Sequence, residues 1–191
     1  PEGSRTWVTV EGITEGLCGA FRPVHFRGVA TVVVKLLNMV QPDVAVFGRK
    51  DFQQLRVIES AVRDLNLPVR IEGAPTVRDP DGLAMSSRNA YLTDADRQRA
   101  LTIPRTLARA ALRWEEGMRE PARILEGLEE NLVRRVDRLD YFGLYDPEDL
   151  GALTANGPAV RHPLVAVAAH VGVTRLIDNV QLGVDPPPRV D

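Results

Sequence analysis

The rhythm of apolar and polar positions changes several times along the chain, and each change predicts an element. Thr6-Trp7-Val8-Thr9-Val10 alternates like a strand. A glycine-rich turn region runs from Gly12 to Gly19. After Arg22-Pro23-Val24-His25-Phe26-Arg27-Gly28, apolar Val29, Val32, Val33, Leu36, Leu37 and Val40 recur at helical spacing until Pro42 stops the helix. Val44-Ala45-Val46-Phe47 is a continuous apolar run ended by Gly48, as expected of a strand covered on both faces. A helix is predicted from about Phe52 to Leu65, with Leu55, Ile58, Val62 and Leu65 inward. Beyond Pro68, Val69-Arg70-Ile71-Glu72 reads as a strand. Strand, helix and strand with short links form a βαβ unit, which implies a parallel sheet and a right-handed crossover.

From Ala74 to Asn89 the pattern is irregular and rich in Pro, Asp, Gly and Ser, the texture of a loop or hinge. Thr93 is a predicted N-cap, with Asp94 and Asp96 in the first helical turn. Pro104 is expected to kink or divide the helical stretch between Asp94 and Glu116. An amphipathic helix is predicted around Glu120 to Arg135, with Ile124, Leu128 and Leu132 four apart. Strand-like runs follow at Leu139–Leu144, Leu164–Ala169 and Thr174–Val180, and helices followed by strands suggest a small α+β domain. Pro186-Pro187-Pro188 is expected to be extended and solvated.

Bulk properties narrow the classes. The 191 residues suit two small domains, and 44% hydrophobic with 26% charged residues is ordinary for a globular protein. A net charge of −2 argues against an extended nucleic-acid footprint. The only cysteine, Cys18, precludes an intrachain disulfide and favours a reducing, cytoplasmic location. No apolar run approaches the length of a membrane span, so no membrane partner is expected either. The chain opens on Pro1 directly before a strand-like run, which reads as a sequence lacking an upstream part.

Three stretches carry candidate chemistry. Gly48-Arg49-Lys50-Asp51 follows a strand and opens a helix, where ligands bind in open α/β sheets and where free N–H groups attract anions. Lys50 and Gln54, four apart, would share one helix face beside Asp51; a solvated helix cap is the plain alternative. Lys+Arg totals 24, yet only Lys35 and Lys50 are lysines, and a compact ammonium serves a phosphate as a point charge. Met85-Ser86-Ser87-Arg88-Asn89 offers two hydroxyls and a guanidinium, a phosphate clamp or else a polar surface loop. In His25-Phe26-Arg27-Gly28, His25 reads as a packed or capping residue rather than a base. Arg27 could meet an anionic substrate or form a surface ion pair. His162 and His170 lack ligand-like spacing and read as structural, and no zinc, P-loop, G-x-S-x-G or G-x-G-x-x-G pattern occurs.

His25–Val29, Val46–Leu55, Pro75-Thr76-Val77-Arg78, Asp81–Asn89 with Tyr91-Leu92, and Thr174–Asn179 together resemble the pantoate–β-alanine ligases in residues, order and spacing. The resemblance spans essentially the whole chain. It implies an α/β fold: the C-terminal portion of a Rossmann-like nucleotidyltransferase domain (residues 1–76), followed by a smaller α+β lid domain (77–191). It further implies ATP-dependent condensation of pantoate with β-alanine, with Mg2+ arriving on ATP and no tightly bound cofactor or protein-held metal. The family's HxGH motif is absent, so the chain is expected to be incomplete and inactive alone. A homodimer is implied by the resemblance only.

For the site, the resemblance implies that Gly48 and Asp51 hold the ATP ribose region. Lys50 would contact the phosphates, and Gln54 would bond pantoate. Val77 and Met85 would lie at adenine, Ser86, Ser87 and Arg88 would clamp phosphates, and Arg27 would line the acid pocket. Lys50, Ser86, Ser87 and Arg88 are thus the catalytic candidates. Arg49 belongs to the candidate ATP-binding stretch by position, but the family usually has Glu there, so no family role is carried to it. The family usually has Gly at the position of Val24, where a glycine-specific turn would strain valine. Two other readings stay open: a non-catalytic nucleotide- or acid-binding remnant, and an adenylate-forming ligase for a different small carboxylic acid.

Overall fold

The computed structural model describes residues 3–154 and 159–190, and the chain divides into two units, Pro1–Ala74 and Pro75–Asp191. In the first, α1 (Cys18–Phe21) and α2 (His25–Val40) precede β1 (Val44–Gly48). A 3-10 turn (Arg49–Asp51), α3 (Phe52–Asp64) and β2 (Arg70–Ala74) follow. The strands pair in parallel from Val44↔Arg70 to Gly48↔Ala74, the expected βαβ unit. Gln41 takes a left-handed conformation (φ 50°) and Pro42 follows, so α2 ends where the sequence predicts. Leu37, Ile58 and Val62 form the buried centre, with Val29, Val33, Ala45, Phe47, Leu67, Val69 and Ile71 packed around them.

Two expectations for this unit fail. Thr6–Val10 is not a strand. Its alternation has no ladder partner among the described residues: the Val8 amide instead donates to Thr31 Oγ1 at 2.9 Å, and Trp7 lies under the Arg27 guanidinium, 4.7 Å from the ring centroid. Nor is β1 covered on both faces. Ala45 and Phe47 pack with α2 and α3, but Val46 is 62% exposed, because both helices lie against the same side of this two-stranded sheet. For the same reason the apolar stripe of α2 is wider than its covering, and Val32, Leu36 and Val40 are exposed; so is Leu65 beyond α3.

The second unit contains a 3-10 helix (Ser87–Tyr91), α4 (Asp94–Ala100), α5 (Thr102–Glu115), α6 (Pro121–Leu125) and α7 (Leu128–Val133). An antiparallel sheet β3 (Arg138–Tyr145), β4 (Leu164–Val171), β5 (Thr174–Gln181) completes it, in the order β3-β4-β5. Thr93 caps α4 through Oγ1, which accepts from the Asp96 amide at 3.1 Å. The helical stretch divides at Leu101, and Pro104 sits in the first turn of α5, where its missing N–H costs nothing. The predicted helix from Glu120 to Arg135 is instead two, because Gly127 adopts φ 70° between them; Ile124, Leu128 and Leu132 are nevertheless all buried. They join Ile103, Leu107, Val165, Val167, Val180 and Leu182 in one core between helices and sheet.

The triproline tail is not fully solvated. Pro188 is buried, and Pro186–Pro188 line a cleft of about 430 Å³ with Pro75, Thr76, Arg78 and Asp79. The tail crosses Gly82 so closely that a β-carbon there would come within 2.3 Å of the Arg189 carbonyl oxygen, and Gly82 has φ +92°. Glycine is required at that point on both counts.

Candidate functional site

The candidate residues lie in both units. In the first, Gly48 is the exposed last residue of β1, and Arg49, Lys50 and Asp51 form the 3-10 turn leading into α3. The Arg49 stem lies back over β2, where its Cγ would stand 3.0 Å from a β-carbon added at Gly73. Lys50 is half-buried and Asp51 exposed. Lys50 and Gln54 do not share an α-helix, since Asp51 leaves helical geometry (φ −92°, ψ 57°) and α3 begins only at Phe52. The helix-face argument from their spacing therefore fails, although both stay at the carboxyl end of β1. Gln53 rather than Gln54 is the buried amide. Its Oε1 accepts from the Cys18 amide at 2.9 Å, and its Nε2 donates to the Ile13 and Gly16 carbonyls at 2.8 and 2.9 Å.

Arg27 is not gathered with these residues into a described contact. It stands on α2 stacked over Trp7, and its carbonyl accepts from Thr31 Oγ1 at 2.7 Å. His25 opens α2, with Nε2 3.4 Å from an Arg22 guanidinium nitrogen and its ring against Phe26. Val24 has φ −100°, so the glycine-specific turn anticipated there is absent and valine is unstrained.

In the second unit, residues 77–85 form a tight hairpin. The Asp79 amide donates to the Leu83 carbonyl at 2.8 Å and the Met85 amide to the Val77 carbonyl at 2.9 Å, around an antiparallel bridge between Arg78 and Ala84. Val77 and Met85 thus become cross-strand neighbours, and both side chains are largely exposed. Ser86 follows at once. Its Oγ accepts from the Arg88 amide at 3.2 Å and caps the 3-10 helix that carries Ser87, Arg88 and buried Asn89. Ser87 and Arg88 are exposed. An apolar pair beside two hydroxyls and a guanidinium can receive a flat ring and an anion attached to it.

Two ion-pair systems that the sequence patterns do not reveal hold this hairpin. Arg78 forks onto buried Asp178 of β5 at 2.7 and 3.0 Å and also donates to the Gly82 carbonyl. Arg97 of α4 bonds both Asp79 and Asp81. The hydrogen bonds from Arg97 hold the Asp81 carboxyl below its ordinary range, against the opposing pull of partial burial, and the same bonds raise Arg97. A fixed spacing rule could not find a pair 100 residues apart; the only signal was that Arg78 and Asp178 both lie in stretches carrying the resemblance. His162 Nδ1 lies 3.1 Å from the Leu182 carbonyl, and His170 lies between Arg138 and Asp140, so both have structural partners. Among the described residues no group of three or more His, Cys, Asp or Glu is placed to hold a metal ion, and no helix is long and apolar enough to cross a membrane.

A parallel βαβ unit with a charged strand end, and an α+β unit presenting a hydroxyl-guanidinium loop, define a mixed α/β protein with candidate anion-binding elements. The chain belongs to the pantoate-beta-alanine ligase family, whose model matches residues 1–181. It is 53% identical over 187 residues to pantothenate synthetase 1 of Bradyrhizobium diazoefficiens, covering 97% of this chain and 65% of that one. It is 46% identical over 182 residues to the pantoate–beta-alanine ligase of Arabidopsis thaliana, covering 95% and 58%. The crystal structure of pantothenate synthetase from Thermus thermophilus superposes with a TM-score of 0.86 at 44% identity, covering 95% of this chain and 65% of that one. A pantoate-beta-alanine ligase from Francisella tularensis, complexed with beta-gamma ATP and beta-alanine, superposes with a TM-score of 0.70 at 30% identity, covering 95% and 60%. The chain thus spans a little under two thirds of the length of these relatives.

Proposed function

We propose that this chain serves the ATP-dependent condensation of pantoate with β-alanine. The observation that carries this reading is the Val77–Met85 pair set directly before Ser86-Ser87-Arg88, in a chain of this family. A carboxylate is a poor acyl donor and must first be activated. A pantoate carboxylate oxygen attacks the α-phosphorus of ATP, the bond to the β-phosphate breaks, and pyrophosphate leaves with the electron pair. The β-alanine amine then attacks the acyl carbon of pantoyl adenylate, loses a proton, and AMP departs, leaving pantothenate. Neither step needs a protein nucleophile, so the protein acts by positioning and charge stabilisation.

In this reading Val77 and Met85 flank adenine, Gly48 and Asp51 lie at the ribose, and Ser86, Ser87 and Arg88 bind phosphate. Lys50 stabilises the departing pyrophosphate, Gln54 bonds pantoate, and Arg27 lines the acid pocket. ATP arrives as its Mg2+ complex, so the metal is part of the substrate. A cytoplasmic location fits the single cysteine, and a homodimer rests on the family resemblance alone. No HxGH occurs among the 191 residues, and the relatives extend beyond the matched region by about a third of their length. By the resemblance, that motif is expected upstream of the matched region. The assay is therefore run on the chain itself and on the chain joined to the remaining third of a relative.

The test is single-turnover formation of pantoyl adenylate alongside ATP titration. Lys50→Ala is expected to slow adenylate formation roughly 10²–10³-fold while ATP binding falls only modestly, the mark of a group acting on transition-state charge. Lys50→Arg is expected to rescue incompletely. A chemical step within about twofold of wild type would remove Lys50 from the mechanism. ATP binding without adenylate in either form would favour the remnant reading. Adenylate formed only from another carboxylic acid would favour a different ligase.

A further inference from the structure

Exposed Ser87 and Arg88 have little packing of their own to hold them in place, so the order of their loop has to come from beneath it. Arg97, near the end of α4, supplies a connected set of bonds there. Its Nε donates to Asp81 Oδ2 at 2.7 Å, and one terminal nitrogen donates to Asp81 Oδ1 at 3.0 Å and Asp79 Oδ2 at 2.8 Å. Asp79 Oδ2 also accepts from Asn89 Nδ2 at 3.1 Å, and the same Nδ2 donates to the Ala84 carbonyl at 3.1 Å. Asn89 is buried, and its backbone amide donates to the Ser86 carbonyl at 3.0 Å. The Leu83 amide closes the set on Asp81 Oδ1 at 3.3 Å. One guanidinium thereby ties the first arm and the turn of the hairpin, and through the Leu83 amide and Asn89 its second arm and the turn that follows, to a helix anchored in the core by Ala100.

We propose that Arg97 is a positioning residue that holds the Ser86-Ser87-Arg88 loop in its anion-receiving shape; the anion-receiving role rests on the function proposed above. A planar fork can meet two carboxylates at fixed angles, whereas a lysine ammonium would keep the charge but lose the two-point geometry. Every bond of the network runs between protein groups, so its contribution is preorganisation rather than contact with substrate.

The experiment compares the wild-type chain with Arg97→Lys, Arg97→Gln and Asp81→Asn by amide hydrogen exchange and by titration with ATP and with pantoate. The expected result is exchange at Leu83, Met85 and Asn89 faster by about tenfold or more, with Val165 and Val167 of β4 unchanged. ATP affinity should fall about tenfold while pantoate affinity stays within about twofold. A general structural role would speed exchange throughout the unit and weaken both ligands alike, and that result overturns the proposal. So does unchanged exchange in the hairpin. Should Arg97→Gln fail to fold, Asp81→Asn, which keeps the side-chain shape and removes one charge, tests the same network by the same readouts. Arg88→Ala separates the two readings. If it leaves ATP affinity unchanged, the phosphate role of the loop fails, while exchange still decides whether Arg97 orders it.

Discussion

Gln53 and Gln54 are adjacent and chemically identical, yet the fold gives them opposite environments. Gln53 is buried with its oxygen and both amide hydrogens engaged, fastening the turn at residues 13–18 to α3. Gln54 is half-buried, one residue further along α3, which begins at Phe52 after the 3-10 turn. Gln53→Ala strands one amide and two carbonyls, and is expected to cost about 1–3 kcal/mol in denaturant unfolding. Gln54→Ala should leave stability within about 0.5 kcal/mol and weaken pantoate binding much more than ATP binding. Equal losses for the two ligands would take Gln54 out of the acid pocket. Nothing in the sequence distinguishes these two glutamines by type. The helical period points Leu55 and Ile58 inward, but the contacts that bury Gln53 come from a loop some 35 to 40 residues earlier.

At the level of elements, the clearest departure is the break between α6 and α7. Spacing of four through Ile124, Leu128 and Leu132 suits one continuous helix, and all three residues are indeed buried. The chain turns between them at Gly127, whose φ of 70° is left-handed. A β-carbon added there meets nothing within 4 Å, so substitution carries a conformational cost without a steric one. Gly127→Ala is expected to destabilise the second unit by about 1–2 kcal/mol, read as a lower thermal midpoint. A gain in stability would show that one straight helix serves this core equally well. Thr93 and Pro104 behave as the sequence predicts because capping and a missing N–H act within a few residues. Gly127 gives no such signal in the sequence, because glycine is tolerated in helices at modest cost.

Across the whole molecule, one acid-sensitive feature is a set of four carboxyls in the second unit that are held below their ordinary range. Asp81, Asp96 and Asp137 are held below the ordinary 3.8 by hydrogen bonds from Arg97 or Arg99. Burial would raise the Asp140 carboxyl, but the bond and charge of Arg175, with His170 and Arg138, together outweigh it and lower it. A carboxyl whose folded value lies below its unfolded one adds stability that is complete above the unfolded value. That stability fades as pH falls through the folded value. Urea unfolding of the second unit should therefore be insensitive to these groups above about pH 5 and weaken below about pH 4, with Asp140 and Asp81 contributing more than Asp96 and Asp137, whose ion pairs solvent screens. Tyr145 acts at the other end: burial, then the charge of Glu129, raises its phenol, so its contribution is whole below the ordinary 10.0 and lost as pH climbs past the folded value. A steep loss of stability between about pH 5 and 7 would mean that other groups govern the acid limb.

By itself the sequence determined what short-range physics controls. That covers the βαβ order, the position of α2 and its stop at Pro42, the Thr93 cap, the presence of three strand-like runs in the second unit and the stretches that carry family membership. Period, capping and proline stereochemistry are written within a turn or two of the residues they govern. Only the tertiary structure decided the rest. Thr6–Val10 has the alternation of a strand, but hydrogen bonding to a neighbouring strand cannot be read from one segment. Val46 is apolar yet exposed, because burial depends on which faces other elements cover. Val77 and Met85 become neighbours, and Arg78 meets Asp178 a hundred residues away, because chain folding, not sequence spacing, sets the distance between side chains.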